Sequence, residues 1–303
     1  MTNDADQAKI VLGFSCNNDC HFCYEKDNRH LPDKSTSEVK QEISAARKKG
    51  RTKIHFIGGE PTIRADILDL ISYAKKLGFK RAHITTNGRM FAYPKFAKQM
   101  VASGILEVVF SIHGHSGKVH DSQTNIPGSF DQLVRGIENL KKIKFDRIGT
   151  NTVITKINYR HLPQIGNILA RWKIRRAEFI YVAVMDQKNF LKYTPLVSKA
   201  APYISHVLGI GHKHGYRWDL LNPPMGCYFK NYFGSNISYG DSKKEEIFVT
   251  LANAQAIHMA SKKKVINYIR AKECKDCLVE NKCLGIWQKY LDNYGKKELR
   301  PIL

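Results

Sequence analysis

The chain has no apolar run approaching the roughly 20 residues that a membrane-spanning helix needs, so no helical membrane anchor is expected. Nor is a signal or transit peptide expected from the opening stretch, Met1-Thr-Asn-Asp-Ala-Asp-Gln7, which is polar and acidic. Low-complexity segments, a long basic tail and any repeat beyond a strand–helix unit are missing as well. Acidic residues are scarce: 27 Asp and Glu stand against 49 Lys and Arg, a formal net charge of +22. That balance favours an acidic partner, such as a nucleic acid, a nucleotide, a phosphorylated metabolite or an acidic peptide. The cations are nevertheless spread in twos and threes (Lys48-Lys49, Lys75-Lys76, Lys141-Lys142, Arg175-Arg176, Lys262-Lys263-Lys264), as on a surface whose charge serves solubility alone. No basic stripe interleaved with aromatics marks an RNA-binding face. Cysteine is odd in number, seven, and falls in two groups, which suits reduced thiols on metal in the cytoplasm better than disulfides.

The 303 residues suffice for one large α/β domain with a small appendage. Apolar runs at Lys9–Phe14, Lys53–Ile57, Arg81–Thr85, Leu106–Ile112, Arg147–Ile154 and Ala177–Tyr181 read as strands. Helical periods at Val39–Lys49, Asp66–Leu77, Pro94–Ser103, Ser129–Lys142 and His161–Arg171 alternate with them, and Ser35 with Glu38 marks the first helix start. Alternation of this kind makes parallel βα units, closed as a barrel or left as an open sheet. Beyond Tyr181 the pattern weakens. Thr194–His214 reads as one long helix bent near Pro202, and Asn222-Pro-Pro-Met-Gly226 as a break ending the core. Ser238–Glu245 reads as the connection of a hairpin, His258–Arg270 as a basic helix and Ile286–Tyr294 as the last helix.

The chemistry concentrates in Phe14-Ser-Cys-Asn-Asn-Asp-Cys-His-Phe-Cys-Tyr24, where Cys16, Cys20 and Cys23 are spaced C-x3-C-x2-C. Three thiolates are one short of the usual four for an iron–sulfur cluster and leave one iron open to a ligand. A structural zinc site would need a fourth ligand, and His21, the one nearby, lies between two of the cysteines. This spacing, with Phe22 before the third cysteine, resembles the signature of the radical S-adenosylmethionine (radical SAM) superfamily. The resemblance implies a partial (β/α)6 barrel as the core and a [4Fe–4S] cluster on the three cysteines, with SAM on the fourth iron. One electron then cleaves SAM to methionine and a 5′-deoxyadenosyl radical that abstracts a substrate hydrogen. Gly58-Gly59-Glu60-Pro61 resembles the second signature of that family, which meets the SAM amine; two glycines let backbone approach a ligand and Glu60 accepts from an ammonium. The resemblance extends to Asn87, equally readable as an Asn-Gly turn, to Ser111 and His113 near the methionine carboxylate or ribose, and to Asn151 and Val153 near adenine. Many relatives carry Asp where His113 stands. Tyr24, His113 and Tyr181 are the candidate hydrogen or proton donors, with His115 and His120 behind them. His120-Asp121 and Gly128-Ser129-Phe130 resemble the peptide-modifying and dehydrogenase-type members of the superfamily.

Cys274, Cys277 and Cys283 are spaced C-x2-C-x5-C and resemble the auxiliary-cluster domain called SPASM, or its short form, twitch. In the full pattern Cys227 is the first cysteine and Gly240 the glycine, but Glu245 and Trp287 stand where two further cysteines belong. The two-cluster version is therefore incomplete. Cys227, Cys274, Cys277 and Cys283 are the right number for a second, auxiliary [4Fe–4S] cluster; if Cys227 is not a ligand, that cluster keeps an open iron, and a four-thiolate zinc site is the alternative. The resemblance implies a radical SAM core over residues 1–221 and a small cysteine-rich α+β auxiliary domain over 222–303. Peptide modification (crosslinking, epimerisation or oxidation) is the reaction it favours. Oxidation or epimerisation of a carbohydrate, cyclitol or nucleoside, modification of RNA, and a non-catalytic iron–sulfur scaffold or sensor are the alternatives. Only 15 residues precede Cys16, so a separate protein is expected to bind any peptide leader. A reductant such as flavodoxin or ferredoxin is the expected partner, with an acidic peptide or small molecule as substrate.

Overall fold

The computed structural model describes residues 6–183, 187–232, 237–238, 246–248 and 267–303. In chain order the elements are β1 (Gln7–Val11), α1 (Thr36–Lys48), β2 (Lys53–Ile57), α2 (Ile67–Lys76), β3 (Arg81–Thr86), α3 (Pro94–Ala102), β4 (Glu107–Ser111), α4 (Gly117–Thr124), α5 (Ser129–Lys142), β5 (Ile148–Ile154), α6 (Leu162–Arg171), β6 (Arg176–Tyr181), α7 (Gln187–Tyr193), α8 (Val197–Lys213), β7 (Arg217–Leu221), β8 (Ile237–Ser238), β9 (Glu246–Phe248), β10 (Tyr268–Ile269), β11 (Ile286–Trp287) and α9 (Gln288–Tyr294). These make a partial, TIM-like barrel of parallel strands flanked by helices, with a distinct cysteine-bearing α+β region at the C-terminal end. Over the described residues the chain forms two compact units, one of Met1–Ile112, His120–Thr150 and Asp241–Lys263, the other of His113–Val119, Asn151–Gly240 and Lys264–Leu303.

In the first unit β1, β2, β3 and β4 pair in that order, and β9 pairs with the other side of β1, all parallel. Strand side chains alternate between faces, so register decides which residues meet. Ile10, Phe56, Ile84 and Val108 fall in one row and are completely buried. The neighbouring row, Lys9, His55, His83 and Glu107, faces the other way. Helices cover the apolar rows with stripes such as Ile67, Leu70, Ile71 and Ala74 of α2. The start of α1 is a capping box: Glu38 N–H donates to Ser35 Oγ at 3.2 Å and Ser35 N–H to the Glu38 carboxylate at 2.8 Å. Glu42 sits on the buried face of α1 because both its oxygens meet Lys34 Nζ at 2.7 Å.

In the second unit β6, β7 and β8 pair in parallel, and β10 pairs antiparallel with β11. Several expectations change here. β8 and β9 form no hairpin, since β8 pairs with β7 and β9 with β1. The long helix begins at Val197 rather than Thr194, because Leu196 is extended (φ −66°, ψ 136°); Pro202 lies inside it. The expected final helix divides into β11 and α9, with Ile286 and Trp287 paired to β10. Of the expected basic helix, 258–266 lies outside the described residues, and Tyr268–Ile269 is strand. Three elements were not read from the sequence. α4 buries the polar residues His120, Gln123 and Thr124, so its periodicity carries no apolar signal. In β7 the consecutive residues Trp218, Asp219 and Leu220 are all buried, which erases alternation. α7 is short and polar. Among the described residues no helix is long and apolar enough to cross a membrane.

His120 packs against Phe130 with ring centroids 5.7 Å apart, and burial depresses its pKa to about 4 while the Asp121 carboxylate opposes the shift. The unfolded chain therefore takes up this proton first. Stability linked to His120 is complete above about pH 6.5 and is lost as pH falls toward about 4. His120→Gln is expected to flatten the urea midpoint over this window; a midpoint that falls with acid as steeply as in wild type would contradict the assignment.

Candidate functional site

In the first unit the β1–β2 ladder continues beyond the strands. Leu12 N–H donates to Ile57 O at 2.9 Å, Gly59 N–H to Gly13 O at 2.8 Å and Glu60 N–H to Ser15 O at 2.8 Å. These bonds lock Gly58-Gly59-Glu60 against the chain that enters the cysteine loop. A Cβ on Gly58 would stand 2.5 Å from Gly13 O, and one on Gly59 would stand 2.1 Å from Ser15 O. Close backbone approach does demand these glycines, but the approaching group is the cysteine loop itself. Asp33 reinforces the same stretch by accepting from Phe14 N–H at 2.7 Å and Ser15 N–H at 3.1 Å.

Cys16, Cys20 and Cys23 are half-buried free thiols. Asn18 N–H donates to Cys16 Sγ at 3.4 Å, and Cys23 N–H to Cys20 O at 3.2 Å. Burial raises the Cys16 thiol and pushes Cys20 up to about 12, with the neighbouring cysteine sulfurs adding to both. Thiols so close and so desolvated become thiolates when a cationic metal group compensates them. Among the described residues no three His, Cys, Asp or Glu side chains converge to hold a single metal ion. A cubane takes its thiolates on different irons and needs no such convergence, so this donor set fits a [4Fe–4S] cluster. Phe22 is buried beside the loop, whereas Tyr24 is 60% exposed.

Glu60, 3% exposed, is the hub of the adjoining polar network. Its Oε1 accepts from Thr62 N–H at 3.0 Å, from Thr86 Oγ1 at 2.7 Å and from Thr62 Oγ1; its Oε2 accepts from Asn87 N–H at 2.6 Å. Burial raises the carboxyl pKa, and these donors work against the rise. A ligand ammonium beside it would restore the charged form. Asn87 also donates from Nδ2 to Asn17 Oδ1 at 2.6 Å, which ties the end of β3 to the cysteine loop. Pro61 begins a short 3-10 turn, and Ser111 ends β4. Asp121 accepts from Gly128 N–H at 2.7 Å, Ser129 Oγ at 2.8 Å and Phe130 N–H at 2.8 Å, so that motif caps α5.

In the second unit His113 is buried and its Nδ1 accepts from Val153 N–H at 3.3 Å, so a neutral ring carries its proton on Nε2. Asn158 Nδ2 fixes this corner by donating to His113 O at 3.0 Å and Val153 O at 2.8 Å. Asn151 and Val153 share the less buried face of β5. His115 lies against His161, centroids 5.0 Å apart. Tyr181 is completely buried and its hydroxyl donates to Pro195 O at 2.7 Å, a packing environment.

Cys227, Cys274, Cys277 and Cys283 line one recess, walled by Met225, Leu299 and Pro301. Ile302 N–H donates to Cys277 Sγ at 3.4 Å and Gly285 N–H to Cys283 Sγ at 3.3 Å, while the backbone at Ala271 and Arg300 serves Cys274 and Cys227. Burial pushes Cys227 up to about 11. Four half-buried thiols that line one recess, each with a backbone hydrogen bond, fit a cluster as the first three do. Trp287, where the two-cluster pattern has a cysteine, packs between Tyr181 and Tyr268 at 5.9 and 6.4 Å. Gly240 and Glu245 lie outside the described residues. Sequence reasoning missed Asn17, Arg29, Asp33, Arg89 and Asn158; only the position of Asn17 and the Asn87-Gly88-Arg89 run inside or beside motifs pointed to any of them.

Gly59→Ala is expected to displace Ser15 O and cut the iron retained after reconstitution several-fold, with secondary structure unchanged by circular dichroism. Gly209→Ala, where an added Cβ meets nothing within 4 Å, should behave as wild type. Undiminished iron in Gly59→Ala would contradict this account of the turn.

The profile of the Radical SAM superfamily matches residues 10–168, just over half of the chain. An AdoMet-dependent heme synthase of Oleidesulfovibrio alaskensis is 35% identical over 153 residues, 50% of this chain and 39% of that protein. A mycofactocin maturase of Mycolicibacterium smegmatis is 30% identical over 164 residues, 53% of this chain and 41% of that protein. The match thus spans about two-fifths of the length of these curated relatives. Among solved structures, native anSMEcpe with bound AdoMet and Cp18Cys peptide superposes with a TM-score of 0.67 at 16% identity, over 98% of this chain and 92% of that one. Streptococcus suis SuiB bound to precursor peptide SuiA does so with a TM-score of 0.57 at 17% identity, over 71% and 48%. At these identities the likeness is one of fold, and it takes in the cysteine-bearing C-terminal region of the chain in the first case. The matched stretch begins in β1, contains the cysteine loop and the Gly58–Pro61 turn, and ends within α6: the chain belongs to the radical SAM superfamily.

Proposed function

We propose that this chain is an enzyme that reductively cleaves SAM, abstracts hydrogen from a substrate carbon and thereby modifies a peptide by crosslinking, epimerisation or oxidation. The observation that carries the reading is the pinning of a three-cysteine loop, by backbone hydrogen bonds, to a turn whose one carboxylate is buried. A [4Fe–4S] cluster on Cys16, Cys20 and Cys23 supplies the electron for SAM cleavage when bound. Glu60, presented by Gly58, Gly59 and Pro61, takes the SAM ammonium, and Asn87 holds the loop beside it. By family resemblance Ser111, Asn151 and Val153 serve the remaining polar and adenine parts of SAM. His113 presents Nε2–H as donor. Of the other two donor candidates, Tyr181 has its hydroxyl committed to Pro195 O, whereas Tyr24 joins an exposed ring to a hydroxyl whose pKa is raised by desolvation, so His113 and Tyr24 are both retained.

A peptide substrate is supported by the match of fold over nearly all of both chains to a protein solved with AdoMet and a peptide. We assign the core to residues 1–221 and the auxiliary-cluster domain to 222–303. Cys227 shares its recess with Cys274, Cys277 and Cys283, which supports a second [4Fe–4S] cluster with four thiolates and no open iron. Four thiolates would leave no iron open to the substrate, and a cluster held by them would supply a one-electron acceptor. Cluster-bound thiols suit the reducing cytoplasm, with flavodoxin or ferredoxin as the electron donor.

With dithionite and SAM the reconstituted wild type is expected to release 5′-deoxyadenosine, and Cys16→Ala, Cys20→Ala and Cys23→Ala to fall to background. A Cys274/Cys277/Cys283 triple Ala variant should still cleave SAM while losing about half its iron. Cleavage retained in any of the first three variants would overturn the reading.

A further inference from the structure

The residues between the first two cysteines, Asn17, Asn18 and Asp19, are held by two guanidinium groups. Arg89, just past the Asn87-Gly88 turn, donates from Nη1 to Asn17 O and, at 3.2 Å, to Asn18 Oδ1. Its own fork is aimed by Gln132 of α5, which accepts from Nε at 2.6 Å. Arg29, beyond the third cysteine, donates from Nη2 to Asn18 O at 2.8 Å and from Nη1 to Asp19 Oδ1 at 3.2 Å. Lys26 and Asn125 complete the surroundings of Asp19 at 2.9 and 3.0 Å. Asn18, at the centre of this clamp, is buried and passes its own N–H to Cys16 Sγ at 3.4 Å. Arg29 also lies within electrostatic reach of both Cys16 and Cys20.

A three-residue spacer does not need this. Spacing alone sets the reach between two thiolates, and solvated residues would serve. Groups that orient metal ligands are worth ten- to a hundredfold in metal affinity. Fixing the loop in advance removes the ordering cost from the binding step. A permanent cation near a cluster also favours its reduced, more negative form, since net charge and hydrogen bonding set cluster potentials.

We propose that Arg89 and Arg29 are positioning residues for the cofactor: Arg89 holds the Cys16–Cys20 segment in its ligating shape before the cluster arrives, and Arg29 both fastens that segment and raises the reduction potential of the cluster. This rests on the reading that Cys16, Cys20 and Cys23 carry a [4Fe–4S] cluster, and it adds residues outside both signatures to the machinery of that site.

The test compares wild type, Arg89→Gln, Arg89→Lys, Arg29→Gln and Arg29→Lys as full chains. Three readouts serve: the half-life of the cluster against a chelator, the EPR-monitored midpoint potential of the signal that SAM perturbs, and hydrogen exchange over residues 16–23 in the apoprotein. Arg89→Gln should lose its cluster about tenfold faster and exchange faster in the apoprotein, and Arg89→Lys should not rescue it, because an ammonium lacks the fork. Arg29→Gln should shift the midpoint to more negative values, and Arg29→Lys should restore it. Wild-type half-life in Arg89→Gln, or an unmoved midpoint in Arg29→Gln, would overturn the corresponding role. If wild type itself takes up no iron on these cysteines, the cluster reading fails, and equal apoprotein exchange in wild type and Arg89→Gln would then overturn the clamp as well. Exchange elsewhere in the first unit, unchanged from wild type, shows that a variant has folded.

Discussion

Two backbone hydrogen bonds organise the first unit: Gly59 N–H to Gly13 O and Glu60 N–H to Ser15 O. They carry the β1–β2 pairing past the strand ends and bring two loops from different parts of the chain to van der Waals distance. No side chain can stand at the contact. The cysteine loop and the carboxylate turn are therefore one object: displacing either displaces the other. Net hydrogen-bond energies are modest, about 1 kcal/mol each, but the steric demand at Gly58 and Gly59 makes this contact intolerant of change.

Around this contact the chain places polar groups where an apolar core would be cheaper. Arg64 donates to Leu12 O at 3.2 Å and Lys34 O at 2.8 Å while both its remaining nitrogens meet Asp66 at 2.9 and 2.8 Å. Lys34 and Glu42 are buried together. Asp33 accepts from the entrance of the cysteine loop, and Glu60 accepts from Thr62, Thr86 and Asn87. Buried polar groups of this kind are costly when one partner is lost, so they specify one arrangement more than they add stability. In the second unit Glu298 has the corresponding part. Its carboxylate accepts from Val197 N–H at 3.0 Å, Ser198 Oγ and Tyr290 OH, which caps α8 with a residue near the end of the chain.

The alternation of strands and helices up to Tyr181 was legible because β1, β2, β4 and β6 bury alternate residues and helices such as α2 carry apolar stripes. Past that point burial runs through consecutive residues, as in Trp218-Asp219-Leu220, and earlier, in α4, it falls on the polar residues His120, Gln123 and Thr124; in both places periodicity says little. β8 and β9 were readable as strand-like but not in their partners, because pairing is decided by the whole sheet and not by the connection between them. Both cysteine groups stood out by spacing. The groups that hold them did not: Arg29, Arg89 and Asp33 act across 10 to 72 positions of chain, a separation at which no local pattern survives. The reason for the paired glycines was likewise visible only in three dimensions. Their sequence says that something comes close, and the fold says that it is the cysteine loop.

The central claim is that each cysteine group holds its own cubane, the first for SAM and the second as an electron acceptor. Anaerobic reconstitution followed by iron and sulfide counting tests it most directly, on wild type, on a Cys16/Cys20/Cys23 triple Ala variant and on a Cys227/Cys274/Cys277/Cys283 quadruple Ala variant. About eight irons per wild-type chain and about four in each variant are expected. About four irons in wild type and none in the triple variant would contradict the claim, leaving the C-terminal thiols without a cluster and the electron-acceptor role without a carrier.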